Sequence, residues 1–226
     1  ITGTGISVNG MSDEGIIAGA YKDPNLLYNG TPVQVAGTWD PETQEWTFLG
    51  MNPDAPAFFS TSYQTGYGIS GDGQIFVGMQ YITAASYKAF SWNAVTGYNT
   101  IGLNYAYGNR PNCINRSGNL IYGWAQTASI SRSPAIWYGG NMLLLDPTKS
   151  GEAFGASPSG NFVTGTLGGS GFLWSQDRGL ITFSNTLNTA TMSPTTVLND
   201  GTIFGFTGSV PTTQRRAFAR LTDGTM

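Results

Sequence analysis

Short apolar runs alternate with polar turns along the whole chain, and one arrangement of the two recurs five times. Each copy has a polar turn ending in Gly, then three or four mostly apolar residues, then a second Gly. Asp, Asn and Ser bond their own backbone and Gly adopts positive φ freely, so the turn predicts a hairpin bend. The apolar residues are β-branched or aromatic, which predicts a buried strand. The copies span residues 11–19, 69–78, 114–123, 156–165 and 198–205.

The second half of each repeat is a short strand followed by a turn and a final apolar strand. In four copies the short strand ends in Trp, at Trp39, Trp92, Trp137 and Trp174, and Arg220 stands at this place in the fifth copy. A residue type that recurs at one structural place belongs to the scaffold. We therefore expect these tryptophans to pack between neighbouring sheets.

The spacing of the repeats predicts the architecture. The first Gly of each unit recurs after 58, 45, 42 and 41 residues, and a period of about 42 residues is typical of a four-stranded propeller blade. One such sheet cannot bury its faces alone, but stacked sheets can. The sequence thus predicts an all-β, five-bladed β-propeller of four-stranded antiparallel blades, with a six-bladed ring as the open alternative.

We predict a single domain over residues 1–226, with blades at 6–51, 65–103, 111–145, 152–183 and 193–226. The fifth copy has no final apolar strand. Residues 1–5 are expected to supply it, so that the N-terminal strand closes the ring and no sheet edge stays open.

Composition narrows the classes of partner. Charged residues make up 10% of the chain, the net charge is −3 and basic residues do not cluster, which disfavours nucleic acid as a partner. No apolar run of about 18 residues occurs, so we predict no direct membrane insertion. Low charge with abundant Gly, Thr, Asn and Tyr is typical of an extracellular, cell-surface or periplasmic protein. The chain starts in mid-pattern, and we expect it to be attached to other domains of a longer chain.

The missing side chains exclude several chemistries. The chain has no His, which removes Ser-His-Asp and Cys-His catalysis and His-containing metal sites. The single cysteine, Cys113, excludes an internal disulfide framework and is expected to pack in the core. We predict no metal, no cofactor and no catalytic residue. Paired carboxylates remain as an alternative, because glycosidases use them, and the loop acids are Asp23, Asp54, Asp146 and Glu152.

Two sets of loops should share one face of the ring, called here the loop face. They join successive repeats, or the second and third strands within a repeat, and surface loops often carry binding residues. Their aromatic side chains either form a stacking surface for a ligand or cover blade edges. Trp124, at the end of an inner strand, either faces the central channel or packs between blades. The candidate ligand-binding residues are Tyr28, Phe58, Phe59, Tyr63, Tyr81, Tyr105, Tyr107, Arg110 and Trp124.

The best copy of the pattern, residues 69–73 followed by Ala89-Phe90-Ser91-Trp92, resembles the bacterial extracellular HAF repeat, which is named for a His-Ala-Phe tripeptide. Lys88 and Arg216 stand where that family has His. The resemblance covers essentially the whole chain. It implies repeats on a secreted or surface protein, and it supplies no catalytic residue.

The sequence therefore favours a non-catalytic extracellular module that binds a glycan or a protein through the loop face. A carboxylate-dependent glycoside-acting enzyme on the same ring is the first alternative. A purely structural spacer domain is the second.

Overall fold

The structure, a computed structural model, describes residues 5–55, 60–83, 86–102, 105–184, 191–208 and 215–226. These residues form nineteen β-strands and include no helix that could span a membrane. In chain order the strands are β1 (Ser7–Met11), β2 (Ile17–Tyr28), β3 (Thr31–Asp40), β4 (Glu45–Phe48), β5 (Gln64–Ile69), β6 (Phe76–Thr83), β7 (Ser86–Asn93), β8 (Gly97–Ile101), β9 (Asn109–Ile114), β10 (Leu120–Ala125), β11 (Ser133–Tyr138), β12 (Asn141–Leu144), β13 (Gly151–Ala156), β14 (Phe162–Leu167), β15 (Ser170–Ser175), β16 (Gly179–Phe183), β17 (Met192–Val197), β18 (Ile203–Thr207) and β19 (Arg216–Arg220).

The strands form five sheets, one for each repeat, and neighbouring strands run antiparallel. Four sheets have four strands in chain order: β1–β4, β5–β8, β9–β12 and β13–β16. This confirms the prediction of an all-β chain built from four-stranded antiparallel sheets. The fifth sheet has three strands among the described residues, β17, β18 and β19. The predicted closing strand falls largely on residues 1–4, which lie outside the described residues. By compactness the chain divides into two units, Ile1–Ile114 and Asn115–Met226.

The turn between the first two strands of a sheet has the same geometry in every repeat. In the second repeat, Gly73 has a φ of 71°, and its N–H donates to the Ser70 carbonyl at 3.0 Å. The Ser70 hydroxyl accepts from the Ile75 N–H at 3.0 Å. Glycine takes this φ without the strain that a Cβ brings, which explains why it recurs. The equivalent glycines, all with positive φ, are Gly15, Gly118, Gly160 and Gly201.

The second Gly of the repeat lies inside the second strand, where a side chain would meet atoms of both neighbouring strands. A Cβ at Gly78 would lie 2.5 Å from the Thr65 carbonyl oxygen and 2.5 Å from Cζ of Phe90, its partner in register. This Gly and the Phe of the third strand therefore form one packing unit. The same arrangement joins Gly165 with Phe172, and Gly205 with Phe218.

Successive sheets within each unit stack through apolar side chains. In the first unit a buried cluster takes Ala18, Ala36 and Leu49 from the first repeat, and Ile69, Phe76 and Phe90 from the second. Trp92 packs against this cluster. In the second unit, Leu173 of the fourth sheet packs with Val197 and Ile203 of the fifth. The sheets therefore bury the faces that none of them could bury alone.

The first strand of a sheet carries a β-bulge at one recurring place. The register shifts between Val8 and Gly10, Gly66 and Gly68, Ala153 and Gly155, and Pro194 and Thr196. A bulge leaves one residue out of the ladder and re-aims its side chain. In the first unit, the bulged residues are Asn9, whose Nδ2 donates to the Gly66 carbonyl at 2.7 Å, and Tyr67.

Candidate interaction site

A buried lysine holds the loop that precedes β9. Lys88, on β7, is 5% exposed, and its Nζ donates to the carbonyl of Tyr107 at 2.8 Å and to that of Tyr105. Burial lowers the pKa of the Lys88 ammonium. Asn109 adds a second tie, because its Oδ1 accepts from the Ala89 N–H at 2.6 Å. These hydrogen bonds hold the main chain of the loop. The loop backbone is therefore fixed independently of any contact that its side chains make.

The anchored loop carries two tyrosine rings in edge-to-face contact. The centroids of Tyr105 and Tyr107 are 5.8 Å apart with an interplanar angle of 71°, a favourable geometry for an aromatic pair. Tyr107 is 41% exposed, and burial raises the pKa of its half-buried partner Tyr105. The Lys88 Nζ lies 5.9 Å from the Tyr105 ring centroid. The ring of Tyr107 is therefore presented to solvent by a backbone that Lys88 holds.

A second tyrosine pair lies at the end of the β6–β7 hairpin. Tyr81 and Tyr87 face each other across the two strands, with centroids 6.1 Å apart at an angle of 76°. Neighbouring residues of a strand point to opposite faces of the sheet, so Tyr87 and Lys88 do too. The Tyr81–Tyr87 pair and the loop that Lys88 holds therefore lie on opposite faces of this hairpin. We call Tyr105 and Tyr107 the tyrosine surface.

Arg110 follows this loop on β9 and is directed towards the bulged Tyr67. Its guanidinium carbon lies 5.0 Å from the Tyr67 ring centroid, within the range of a cation–π contact. Its Nη2 also donates to Oδ1 of Asn112 at 2.9 Å. These two contacts hold the Arg110 side chain against β5 and β9. In the sequence, Arg110 follows directly after the anchored loop.

The inserted segment after β4 packs onto the first sheet. The Tyr63 N–H donates to the Gln34 carbonyl at 3.0 Å, and the Tyr63 hydroxyl donates to the Ala55 carbonyl. Tyr63 is 1% exposed, and burial raises its pKa to about 12. Its ring belongs to a cluster with Val33 and Val35, against which the half-buried Tyr28 packs. Tyr63 therefore presents almost no surface to a ligand. Phe58 and Phe59 lie outside the described residues.

Sequence reasoning missed a set of buried amides beneath this region. Gln64 Nε2 donates to the Tyr98 hydroxyl at 3.0 Å, and that hydroxyl donates to the Gly50 carbonyl at 3.0 Å. Gln80 Nε2 and Asn52 Nδ2 both donate to the Thr100 hydroxyl oxygen, at 3.2 and 3.1 Å. These bonds attach the start of the insertion to the second sheet. The sequence does not predict this burial, because a glutamine near a strand end is found exposed as readily as buried.

Trp124 lies in the second unit, on β10. It is 4% exposed, and the Arg132 guanidinium carbon lies 5.1 Å from its ring centroid. Arg132 in turn pairs with the carboxylate of Glu152, which is 8% exposed. Trp124 is thus buried beside an ion pair whose arginine side chain is 52% exposed, and it presents almost no surface to a ligand.

The prediction that four acids lie in loops is wrong for two of them, because Asp23 lies in β2 and Glu152 in β13. Asp146 accepts hydrogen bonds from the Thr148 hydroxyl and N–H, which lower the pKa of its carboxyl group. Glu152 pairs with Arg132, and Asp54 is exposed after β4. Among the described residues, no group of three or more Asp, Glu or Cys side chains has a geometry that could hold a metal ion.

No protein-family model and no curated protein sequence matches the chain. Solved β-propeller structures do match its fold. TolB from Acinetobacter baumannii matches 78% of the chain at 18% identity, with a TM-score of 0.52, and a putative TolB from Agrobacterium tumefaciens matches 97% at 10% identity, with a TM-score of 0.60. A structure from a study of two prolyl endopeptidases matches 97% at 12% identity, with a TM-score of 0.61.

The chain spans 42%, 78% and 34% of the lengths of these three proteins, in that order. At such identities the likeness shows the fold, which is that of a β-propeller.

Proposed function

We propose that residues 1–226 form a single five-bladed propeller domain whose ring is closed by residues 1–5 pairing with the fifth sheet. Five sequence repeats, five sheets and the β-propeller neighbours support this proposal. Closure would give the three-stranded fifth sheet a fourth strand and remove its open edge. Deleting residues 1–6 should then lower the melting temperature by several degrees or cause aggregation. An unchanged melting temperature would contradict closure.

We propose that the chain is a non-catalytic interaction module that binds a protein through the tyrosine surface. The observation that carries this proposal is the exposed Tyr107 ring on a backbone that Lys88 fixes from below. Tyrosine and arginine are enriched where protein interfaces gain most of their binding energy. A surface that is rigid before binding loses little conformational entropy when a partner docks.

The experiment selects ligands without assuming a partner. The immobilised chain is screened with a random peptide display library and with an oligosaccharide panel, and each selected ligand is retested on two variants. Tyr107→Ser removes the most exposed ring of the tyrosine surface. Val95→Ser is the matched control, because Val95 is 90% exposed on the β7–β8 turn.

Selected peptides should lose at least about tenfold in affinity with Tyr107→Ser and none with Val95→Ser. Oligosaccharides that show this pattern instead would make the ligand of this surface a glycan. Equal binding of the selected peptides by both variants would show that the tyrosine surface does not bind them. No binding in either screen would favour the spacer alternative. Cleavage of a glycosidic bond that is abolished in Asp54, Asp146 or Glu152 variants would favour the enzyme alternative.

We further propose an extracellular, cell-surface or periplasmic location within a longer protein. The HAF-type repeat pattern and the low content of charge support this proposal. Fractionation of cells that produce the native protein, followed with an antibody against this domain, tests it. Recovery of the protein from the cytoplasm alone would contradict it.

A further inference from the structure

The second unit contains a cleft of about 750 Å³ on the side of its tight turns. Residues from the turns of three successive sheets line it, and none of them belongs to the tyrosine surface. Its volume lies within the range of small-molecule sites, which are lined by aromatic groups and a few placed polar groups. The lining residues that matter for its chemistry are Asn119, Tyr138, Phe162, Trp174, Asp177 and Asn199.

Aromatic rings form the apolar part of the cleft. The centroids of Tyr138 and Trp174 are 6.1 Å apart with an interplanar angle of 48°. Trp174 is 7% exposed, so it is held firmly, whereas Tyr138 and Phe162 are half-buried and retain accessible surface. Ring faces of this kind attract the C–H groups of a ligand, whose hydrogens carry partial positive charge.

Two asparagine side chains provide oriented donors. Asn119 Oδ1 accepts from Asn115 Nδ2 at 2.8 Å, and Asn199 Oδ1 accepts from the Ser159 N–H at 3.1 Å. Since protein groups occupy both oxygens, the orientation of each amide is fixed. In the part of the chain that the structure describes, neither Nδ2 has a protein acceptor, so both NH₂ groups are left to donate to a ligand.

A carboxylate provides the acceptor. Asp177 Oδ1 accepts from the Ser175 hydroxyl at 2.6 Å, which positions the side chain and lowers the pKa of its carboxyl group. Its Oδ2 lies 3.6 Å from Arg178 Nε, and the side chain is 74% exposed. The carboxylate is therefore ionised at neutral pH and accessible to ligand hydroxyl groups.

We propose that this cleft binds a neutral saccharide. Sugar hydroxyls both donate and accept, which matches two amide donors beside one carboxylate acceptor. The C–H face of a sugar ring matches the surface of Tyr138 and Phe162. Arg178, 3.6 Å from the Asp177 carboxylate, offsets its charge, so a charged group on the ligand gains little attraction. This site is separate from the tyrosine surface, and the two proposals fail or succeed independently.

The test is an NMR titration of the isotope-labelled chain with chitotetraose, maltotetraose and mannotetraose. At least one probe should shift the side-chain amide signals of Asn119 and Asn199 and the indole signal of Trp174 in a saturable manner. Asp177→Asn should weaken that binding about tenfold, because a charge-assisted hydrogen bond is lost while the shape is kept. Asn199→Ala should weaken it as well.

Tyr107→Ser, which alters only the tyrosine surface, should bind that probe with unchanged affinity. Thermal unfolding of each variant confirms that the fold is retained. The proposal is overturned if no probe gives saturable shifts, if the shifts map elsewhere, or if folded Asp177→Asn and Asn199→Ala bind as the wild type does.

Discussion

The ammonium of Lys88 donates a hydrogen bond of 2.8 Å to the carbonyl oxygen of Tyr107, from a position where the lysine is 5% exposed. A buried strand residue thereby holds the backbone of a residue whose ring is 41% exposed. The pair connects the packed sheet to the surface that we propose for binding. It also shows what the lysine that precedes Ala89 and Phe90 does in this chain.

Replacing Lys88 by Met tests this anchor. The change keeps the aliphatic length but leaves the carbonyls of Tyr105 and Tyr107 without their donor, so we expect a loss of about 1–3 kcal/mol in the free energy of unfolding. Urea denaturation measures the loss. Lys149→Met is the control, because Lys149 is largely exposed and its removal should cost less than about 0.5 kcal/mol. Equal effects of the two changes would show that Lys88 is no anchor.

Adding a methyl group at Gly78 tests the packing of the repeat. Its Cβ would lie 2.5 Å from both the Thr65 carbonyl oxygen and the Phe90 ring, and neither neighbour can withdraw without breaking the sheet or the core. We expect Gly78→Ala to lower the free energy of unfolding by at least about 2 kcal/mol. At Gly208 the nearest atom lies at an ordinary 3.5 Å, so Gly208→Ala should be nearly neutral. A neutral Gly78→Ala would refute the Gly–Phe packing unit.

Gly78 and Lys88 show which features of the fold could be predicted from the sequence and which could not. The turn glycines and the apolar strands are local patterns, and they predicted the antiparallel sheets because each strand pairs with its neighbour in sequence. The burial of Tyr63 could not be predicted in this way. It depends on a hydrogen bond to Gln34, twenty-nine residues earlier, and no local period encodes that contact. The sequence showed that Lys88 departs from the expected motif. It could not predict the role of Lys88, because that role depends on a hydrogen bond to a loop residue nineteen positions later.

Tyr63 predicts a dependence of stability on alkaline pH. Burial raises its pKa to about 12 in the folded chain, whereas an unfolded tyrosine ionises near pH 10. A raised folded pKa means that the stabilisation is complete below about pH 10 and is lost as the pH rises towards about 12. The free energy of unfolding should therefore fall over this range, and it should fall less steeply in Tyr63→Phe. Identical slopes for the two proteins would contradict the burial of this hydroxyl.

The ion pair of Arg132 and Glu152 predicts an asymmetric mutational effect. Arg132→Ala removes a guanidinium, on a side chain that is 52% exposed, from a carboxylate that is 8% exposed, so solvent screens part of the attraction that is lost. Glu152→Gln removes the charge itself and leaves Arg132 against Trp124. We expect Arg132→Ala to cost about 1–2 kcal/mol and Glu152→Gln clearly less. A double-mutant cycle measures the coupling, and a coupling energy near zero would show that the pair does not contribute.

The most direct test of the account is hydrogen–deuterium exchange of the chain with and without a ligand selected from the peptide library. The bound ligand should slow exchange at residues 81–88 and 105–110, which carry Lys88 and the tyrosine surface respectively, and leave the turn around Val95 unchanged. Protection confined to other parts of the chain, with these two segments exchanging as they do in the free protein, would contradict it.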